Sequence, residues 1–368
     1  MMQGLELQWH NALAKRKAGH CLRRLAPVGA GVDFCSNDYL GFAADAGLQQ
    51  AIRDMISNAT RCLTGATGSR LISGNSRVTT GVEDFIAGEH LAEAALLFPS
   101  GYKANLALFS CIAGRHDTIL LDEFVHRSVH DGCRLSHATL RKFRHNDLAH
   151  LEALLKKATG NVVIAVESLY SMDGDFAPLA AIADLARHYG AAVVVDEAHA
   201  IGVFGKGLVN KAQLDITATV VTYGKAMGLQ GAAVLSSQLL KDYLVNFAAP
   251  FIYSTGMPDV QALSIRAAYE HLAQQEHRVL QLRERIGYFR AQELPGWSAG
   301  ESPVQVVPFG DTTSLRQVVN VLEEAHIRVY PVFAPTVREG TERLRICLHS
   351  YNTNEEINRL CSLIRTYV

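Results

Sequence analysis

Short runs that are apolar on both faces recur along this chain, separated by longer stretches of helical period. Residues 191–195 (AAVVV) and 218–221 (ATVV) show no alternation of apolar and polar positions. Such runs predict strands covered on both faces, as in a parallel sheet between helical layers. Residues 94–98, 118–121 and 161–166 have the same character. Helices are predicted over 5–17, 48–56 and 178–189. From residue 91 to 235 strands and helices alternate at α/β spacing. Residues 64–80 (TGATGSRLISGNSRVTT) read as a loop, with three glycines and many hydroxyls.

After residue 256 the pattern changes. Residues 257–294 read as one long helical stretch with an internal break, starting at Pro258. Beyond it come strands over 304–309, 327–332 and 343–349, and helices over 314–325 and at the C-terminus. Thr353 and Glu356 form a capping-box signature for the last helix. The expected class is α/β: a large domain with a mainly parallel sheet and a smaller C-terminal α/β domain. The division expected is a helix and arm over 1–45, the large domain over 46–256, and a bridging helix with the small domain over 257–368.

Four predicted strands end in polar groups. The groups are Asp122 and His126, Glu167 and Ser171, Asp196 and His199, and Thr222 and Lys225. In open α/β sheets ligands bind outside the carboxyl ends of the strands, so these groups would share one rim. A carboxylate and a lysine there suit a pyridoxal phosphate site. The lysine would form a Schiff base, and the carboxylate would pair with the ring nitrogen. For Asp196 and Lys225 alone, a structural ion pair is the competing reading. Gly101 and Tyr102 open a helix after a strand, a place suited to phosphate, although an ordinary strand-to-helix turn reads the same way. Arg343 and Arg345 alternate onto one face of a strand. They read either as solvent-facing or as a carboxylate clamp.

Composition narrows the partners. Of 368 residues 48% are hydrophobic, and the formal net charge is −1. That supports a large core and gives no electrostatic case for nucleic acid. No apolar run approaches the roughly 18 residues of a membrane span, and the start of the chain has no signal-peptide apolar region. Seven widely spaced cysteines without CxxC fit reduced thiols in a cytoplasmic protein. No metal-ligand spacing occurs among the histidines.

Eight segments in order carry a family resemblance. They are SNDYLG (36–41), FPSGYKAN (98–105), FRHND (143–147), SMDGDFAPL (171–179), DEAHAIGVFG (196–205), TYGKAMGLQGAAV (222–234), IYSTGMP (252–258) and PTVREGTERLRICL (335–348). With them the chain resembles the α-oxoamine synthases, pyridoxal phosphate enzymes of the aspartate-aminotransferase fold. The resemblance implies that Lys225 carries the cofactor and shuttles a proton, Asp196 pairs with the ring nitrogen, and His199 bonds the phenolic oxygen. It implies that His126 stacks on the ring and Ser171 sits beside it. The N–H groups of Gly101 and Tyr102, with the Thr222 hydroxyl, would hold the phosphate. Ser254 and Thr255 would reach the phosphate of a partner subunit in a homodimer. Arg23, Asn37 and Arg345 would line the substrate side.

Within the family, the last motif and GAAVL (231–235) lean towards the member that joins L-alanine to a pimeloyl thioester, on coenzyme A or an acyl-carrier protein, with loss of CO2, in biotin synthesis. Siblings that use glycine with acetyl- or succinyl-CoA, or serine with a long acyl-CoA, share these residues and stay open. So does a cofactor-binding protein of this fold without turnover. Two positions depart from the family pattern: Thr79 stands where a histidine is usual, and Arg127 where a small residue is usual.

Overall fold

The apolar runs form the centre of a seven-stranded sheet. In the computed structural model, residues 4–19, 22–25, 27–294, 300–334, 337 and 340–368 are described. They form two units, Met1–Gly31 and Val32–Val368. In the first, Gly4–Ala18 is a helix whose Leu5, Leu7, Trp9 and Leu13 are exposed. Cys21, Pro295 and four positions of the last motif (Pro335, Thr336, Arg338 and Glu339) lie outside the described residues.

In the second unit the strands in chain order are β1 (Val32–Asp33), β2 (Ala94–Phe98), β3 (Thr118–Asp122), β4 (Thr139–Phe143), β5 (Val162–Glu167), β6 (Ala192–Asp196), β7 (Ala218–Thr222) and β8 (Ala232–Ser236). They are followed by β9 (Val304–Pro308), β10 (Ile327–Arg328), β11 (Tyr330–Val332) and β12 (Arg343–Cys347). The large sheet has the order β2-β8-β7-β6-β5-β3-β4. β4, β3, β5, β6 and β7 run parallel, and β8 runs antiparallel to both its neighbours. All five residues of β2, β3, β7 and β8 are buried, and so are the last four of β6. Burial of a Val or Leu contributes about 1.5–3 kcal/mol each, so runs of such residues set these positions. Helices cover both faces, giving one cluster around Leu108, Ile164 and Val194 and another around Phe34, Tyr223 and Ile346.

Three expectations change in detail. The loop predicted over 64–80 ends at Ser76, whose side chain caps the helix Arg77–His90 by accepting from Thr79 N at 3.0 Å. The cap was hidden because Ser76 stands among many hydroxyls. The single strand predicted over 327–332 is two. β10 pairs in parallel with β1, and β11 pairs with β12 in a three-stranded antiparallel sheet, β11-β12-β9. Pro331 lies in β11 at the edge of that sheet, where its missing N–H costs no ladder bond. The stretch 257–294 breaks between Leu272 and Glu276, giving the helices Asp259–Leu272 and Glu276–Arg290. At the C-terminus Thr353 and Glu356 close a reciprocal capping box on Asn354–Ile364.

The segment after β5 is held by charge. His145 Nδ1 lies 2.9 Å from Asp122 and its Nε2 lies 2.6 Å from Asp175. Arg343 pairs with Asp173. Burial disfavours the His145 cation, but the bonds it donates to Asp122 and Asp175 outweigh it and raise the group to about 9. A raised histidine pKa gives stability that is complete below the ordinary value of 6.5 and is lost as pH rises through 9. The melting temperature should therefore fall between pH 7 and 10. His145→Gln should flatten that slope and lower Tm at pH 7 by roughly 3–6 °C. Thermal melts across that range check it; an unchanged slope in the variant would refute the charge clamp.

Candidate active site

The ends of β5, β6 and β7 meet at one rim; β3 leads His126 to it, while its own Asp122 is bonded to His145. Glu167 and Asp196 are neighbours across β5 and β6, and Thr222 closes β7 opposite Ala232 of β8. The reversal of β8 forces residues 223–231 to turn back across the rim, and Lys225 rides in that turn. Tyr223 N donates to Gly231 O at 2.9 Å, Leu229 N to Tyr223 O at 2.7 Å and Gly228 N to Lys225 O at 2.8 Å. Gly228 and Gly231 take φ of 66° and 123°, where a side chain would be strained.

A cavity of about 300 Å³ opens above this rim. Asn37, Gly101, Tyr102, His126, Ser171, Asp196, His199, Thr222 and Lys225 all line it. Asp196 Oδ1 accepts from Ala198 N at 2.9 Å, and its Oδ2 accepts from Asn105 Nδ2 at 2.7 Å. Burial lowers the Lys225 pKa, with Arg345 adding to the effect while Asp196 and Glu167 oppose it. The lowered value favours the neutral amine that nucleophilic and base chemistry need. Glu167 is pushed up to about 8, first by burial and then by the Asp196 charge. His199 is buried and held well below its ordinary value by burial, Lys225 and Arg345; its Nδ1 lies 2.7 Å from the Tyr39 hydroxyl.

The substrate side is built around Arg345. Its Nε donates to Ser171 O at 2.7 Å and its Nη2 to Asn37 Oδ1 at 2.9 Å. Of the two arginines on β12, Arg343 is committed to Asp173, so Arg345 is the one beside the cavity residues.

The residues present fit pyridoxal phosphate. The helix Gly101–Cys111 points its first turn at the cavity, capped by Ser100, which accepts from Lys103 N at 3.2 Å. The Gly101 and Tyr102 N–H groups belong to that turn and have no intrahelical acceptor. Beside them the Thr222 hydroxyl is buried without a hydrogen-bond partner. A Cβ on Gly101 would meet Thr222 Cγ2 at 2.4 Å, so the approach needs glycine. Free donors at a helix N-terminus and an unpaired hydroxyl suit a phosphate. Asp196, ending a strand in the same cavity, suits a protonated ring nitrogen.

Other sequence candidates lie elsewhere. Ser254 and Thr255 line a separate small cavity with Arg70 and Phe251, and Thr255 bridges to Ser69. Within one chain they are not brought to Lys225. Arg23 is exposed in the Met1–Gly31 unit. Thr79 is buried against Ser76 and Asp259, and Arg127 pairs with Asp131 on the surface. Sequence reasoning gave no role to Tyr39, Asn105 or Ser128, which all bond to cavity residues. Tyr39 and Asn105 lie inside SNDYLG and FPSGYKAN, which was the available signal.

A family model described as aminotransferase class I and II matches residues 30–364. The chain belongs to that family. More narrowly, it is 39% identical over 341 residues to the 8-amino-7-oxononanoate synthase of Chromobacterium violaceum, covering 90% of this chain and 88% of that protein. A crystal structure of 8-amino-7-oxononanoate synthase from Francisella tularensis superposes with a TM-score of 0.78 at 27% identity, covering 91% of this chain and 97% of that one. A structure of SPT with its PLP internal aldimine gives 0.89 at 23% identity, covering 99% and 98%. At that identity the likeness concerns the fold alone. No helix among the described residues is long and apolar enough to cross a membrane.

Proposed function

We propose that this chain condenses L-alanine with a pimeloyl thioester and releases CO2 and the free thiol, giving 8-amino-7-oxononanoate with pyridoxal phosphate as cofactor. The observation that carries the reading is the meeting of Lys225, Asp196, His126, His199, Ser171 and Thr222 around one cavity. The relatives' names supply the substrates. When bound, the cofactor supplies an aldehyde carbon that takes up amines and a conjugated ring that accepts electron density from the amino acid's Cα. The Lys225 amine holds the cofactor, then removes and returns the proton at Cα. The Asp196 carboxylate, fixed by Ala198 N and Asn105, keeps the ring nitrogen protonated. His199 orients the phenolic oxygen. His126 would cover the ring face. Gly101, Tyr102 and Thr222 anchor the phosphate. Arg345, steadied by Asn37 and the Ser171 carbonyl, binds the amino-acid carboxylate by a charge-assisted contact.

The reading also takes the protein as a cytoplasmic homodimer, with Ser254 and Thr255 serving the partner's phosphate and Arg23 the substrate. Residues 46–256 form its cofactor domain, with 1–45 as the arm and 257–368 as the small domain. The acyl carrier is coenzyme A or an acyl-carrier protein. The test is a visible titration of the protein loaded with pyridoxal phosphate, using L-alanine, glycine and L-serine in turn, followed by pimeloyl thioester and product analysis. Tightest response to L-alanine and formation of 8-amino-7-oxononanoate are expected. A preference for glycine or serine would move the enzyme to a sibling reaction. No visible band after adding the cofactor would overturn the site.

A further inference from the structure

Asn105 sits one helical turn after Gly101, on the face of the helix that looks into the cavity. It is 1% exposed. Its Nδ2 spends both protons, one on Asp196 Oδ2 at 2.7 Å and one on Ser128 Oγ at 3.0 Å. Its Oδ1 is buried without a partner. An orphaned carbonyl costs about 1–3 kcal/mol. The reverse orientation would set that oxygen against the Asp196 carboxylate, two acceptors with no proton between them. The charge on Asp196 therefore dictates which way the amide points.

Ser128 is wholly buried. Its hydroxyl has one proton. Because Oγ accepts from Asn105, that proton is free to go to His126 Nδ1, 2.7 Å away. The Ser128 backbone N–H points at the same ring nitrogen, at 3.3 Å, since His126 caps the helix Arg127–Leu135. Two donors converge on Nδ1, so Nδ1 is the bare nitrogen of the ring. The groups acting on His126 agree with a neutral ring: burial and Lys225 disfavour its cation, while Asp196 and Asp131 favour it, and the net shift is downward.

We propose that Asn105 and Ser128 are positioning residues that lock His126 as the neutral tautomer with its proton on Nε2 and tie that ring to the Asp196 carboxylate. The catalytic part of this rests on the function proposed above. A neutral imidazole can cover a ring whose nitrogen Asp196 keeps protonated, where an imidazolium would repel it. With Nδ1 committed, the Nε2–H edge is left as a directed donor for a ligand in the cavity.

Nitrogen-15 NMR of histidine-labelled protein tests this, with and without added pyridoxal phosphate, the His126 signals being assigned by their loss in His126→Asn. A bare Nδ1 and a protonated Nε2 are expected at pH 7 to 8. Ser128→Ala removes the shorter of the two donors at Nδ1, leaving only the backbone N–H at 3.3 Å, and should bring in the Nδ1–H tautomer beside the first, while Ser128→Thr, which keeps the hydroxyl, should restore the single one. In the loaded enzyme Ser128→Ala should lose about ten- to a hundredfold in kcat with KM for L-alanine changed less than about threefold, as expected for misplacement of a positioned group. If Ser128→Ala does not fold by circular dichroism, Asn105→Ala gives the same reading, because Ser128 then loses the donor that directs its proton. A protonated Nδ1 in the parent protein, or a tautomer indifferent to both variants, would overturn the proposal. The tautomer is read without turnover. A protein that shows the Nε2–H form but makes no product would sink the proposed function and leave the relay standing.

Discussion

Lys225→Ala is expected to lose at least about 10⁴-fold in turnover. Among the described residues lining the cavity Lys225 is the single primary amine, and its environment favours the neutral amine by burial. An alanine side chain can neither hold the cofactor covalently nor move a proton at the amino acid's Cα. The fold should persist, because the turn that carries Lys225 is set by backbone bonds and by Gly228 and Gly231, not by its side chain. Steady-state product formation measures the loss, and a small added amine should return part of the activity by acting as an external base. Retention of more than about one hundredth of the parent rate would refute the assignment of Lys225 as the base.

Asp196→Asn comes second, with an expected loss of about 10²–10⁴-fold in kcat. The substitution keeps the shape of the side chain and an oxygen for the Ala198 N–H. Opposite Asn105 it would set donor against donor unless the Asn105 amide turned to present its unpaired Oδ1. What disappears is the charge that, in the proposed function, would keep a ring nitrogen protonated. Two neighbours report the same change. Glu167, raised to about 8 partly by Asp196, should titrate lower, and Lys225, which Asp196 favours as a cation, should titrate lower too. A shift of the pH–rate profile together with the fall in kcat is the expected signature. A parent-like kcat with parent-like pH dependence would remove Asp196 from the mechanism.

Much of this site was legible because the most expensive features of the fold are written locally. Strands β3, β5, β6 and β7 are buried on both faces, so each is an apolar run. A charge placed right after such a run is costly without a partner, and that cost marks Asp196 and Lys225. β4 was missed for the opposite reason. It is the edge strand, four of its five positions are exposed, and TLRKF carries no apolar pattern. Arg141 and Lys142 on it are the sort of charged residues that keep sheet edges from pairing.

The chain by itself determined which strands are buried, which charges end them and, through its motifs, the family. The tertiary structure decided what those groups touch. The reversal of β8 is not encoded in the composition of AAVLS; it follows from pairing with β2 and β7, and it turns residues 223–231 across the rim. Arg343 and Arg345 look equivalent by alternation, yet one meets Asp173 and the other Ser171 and Asn37. Asn105 and Ser128 are ordinary polar residues of two helices until packing brings them between Asp196 and His126. Burial is a property of segments and shows in their pattern. A hydrogen-bond partner 91 residues away is a property of the folded chain, because only closure of the intervening loops makes the two groups neighbours.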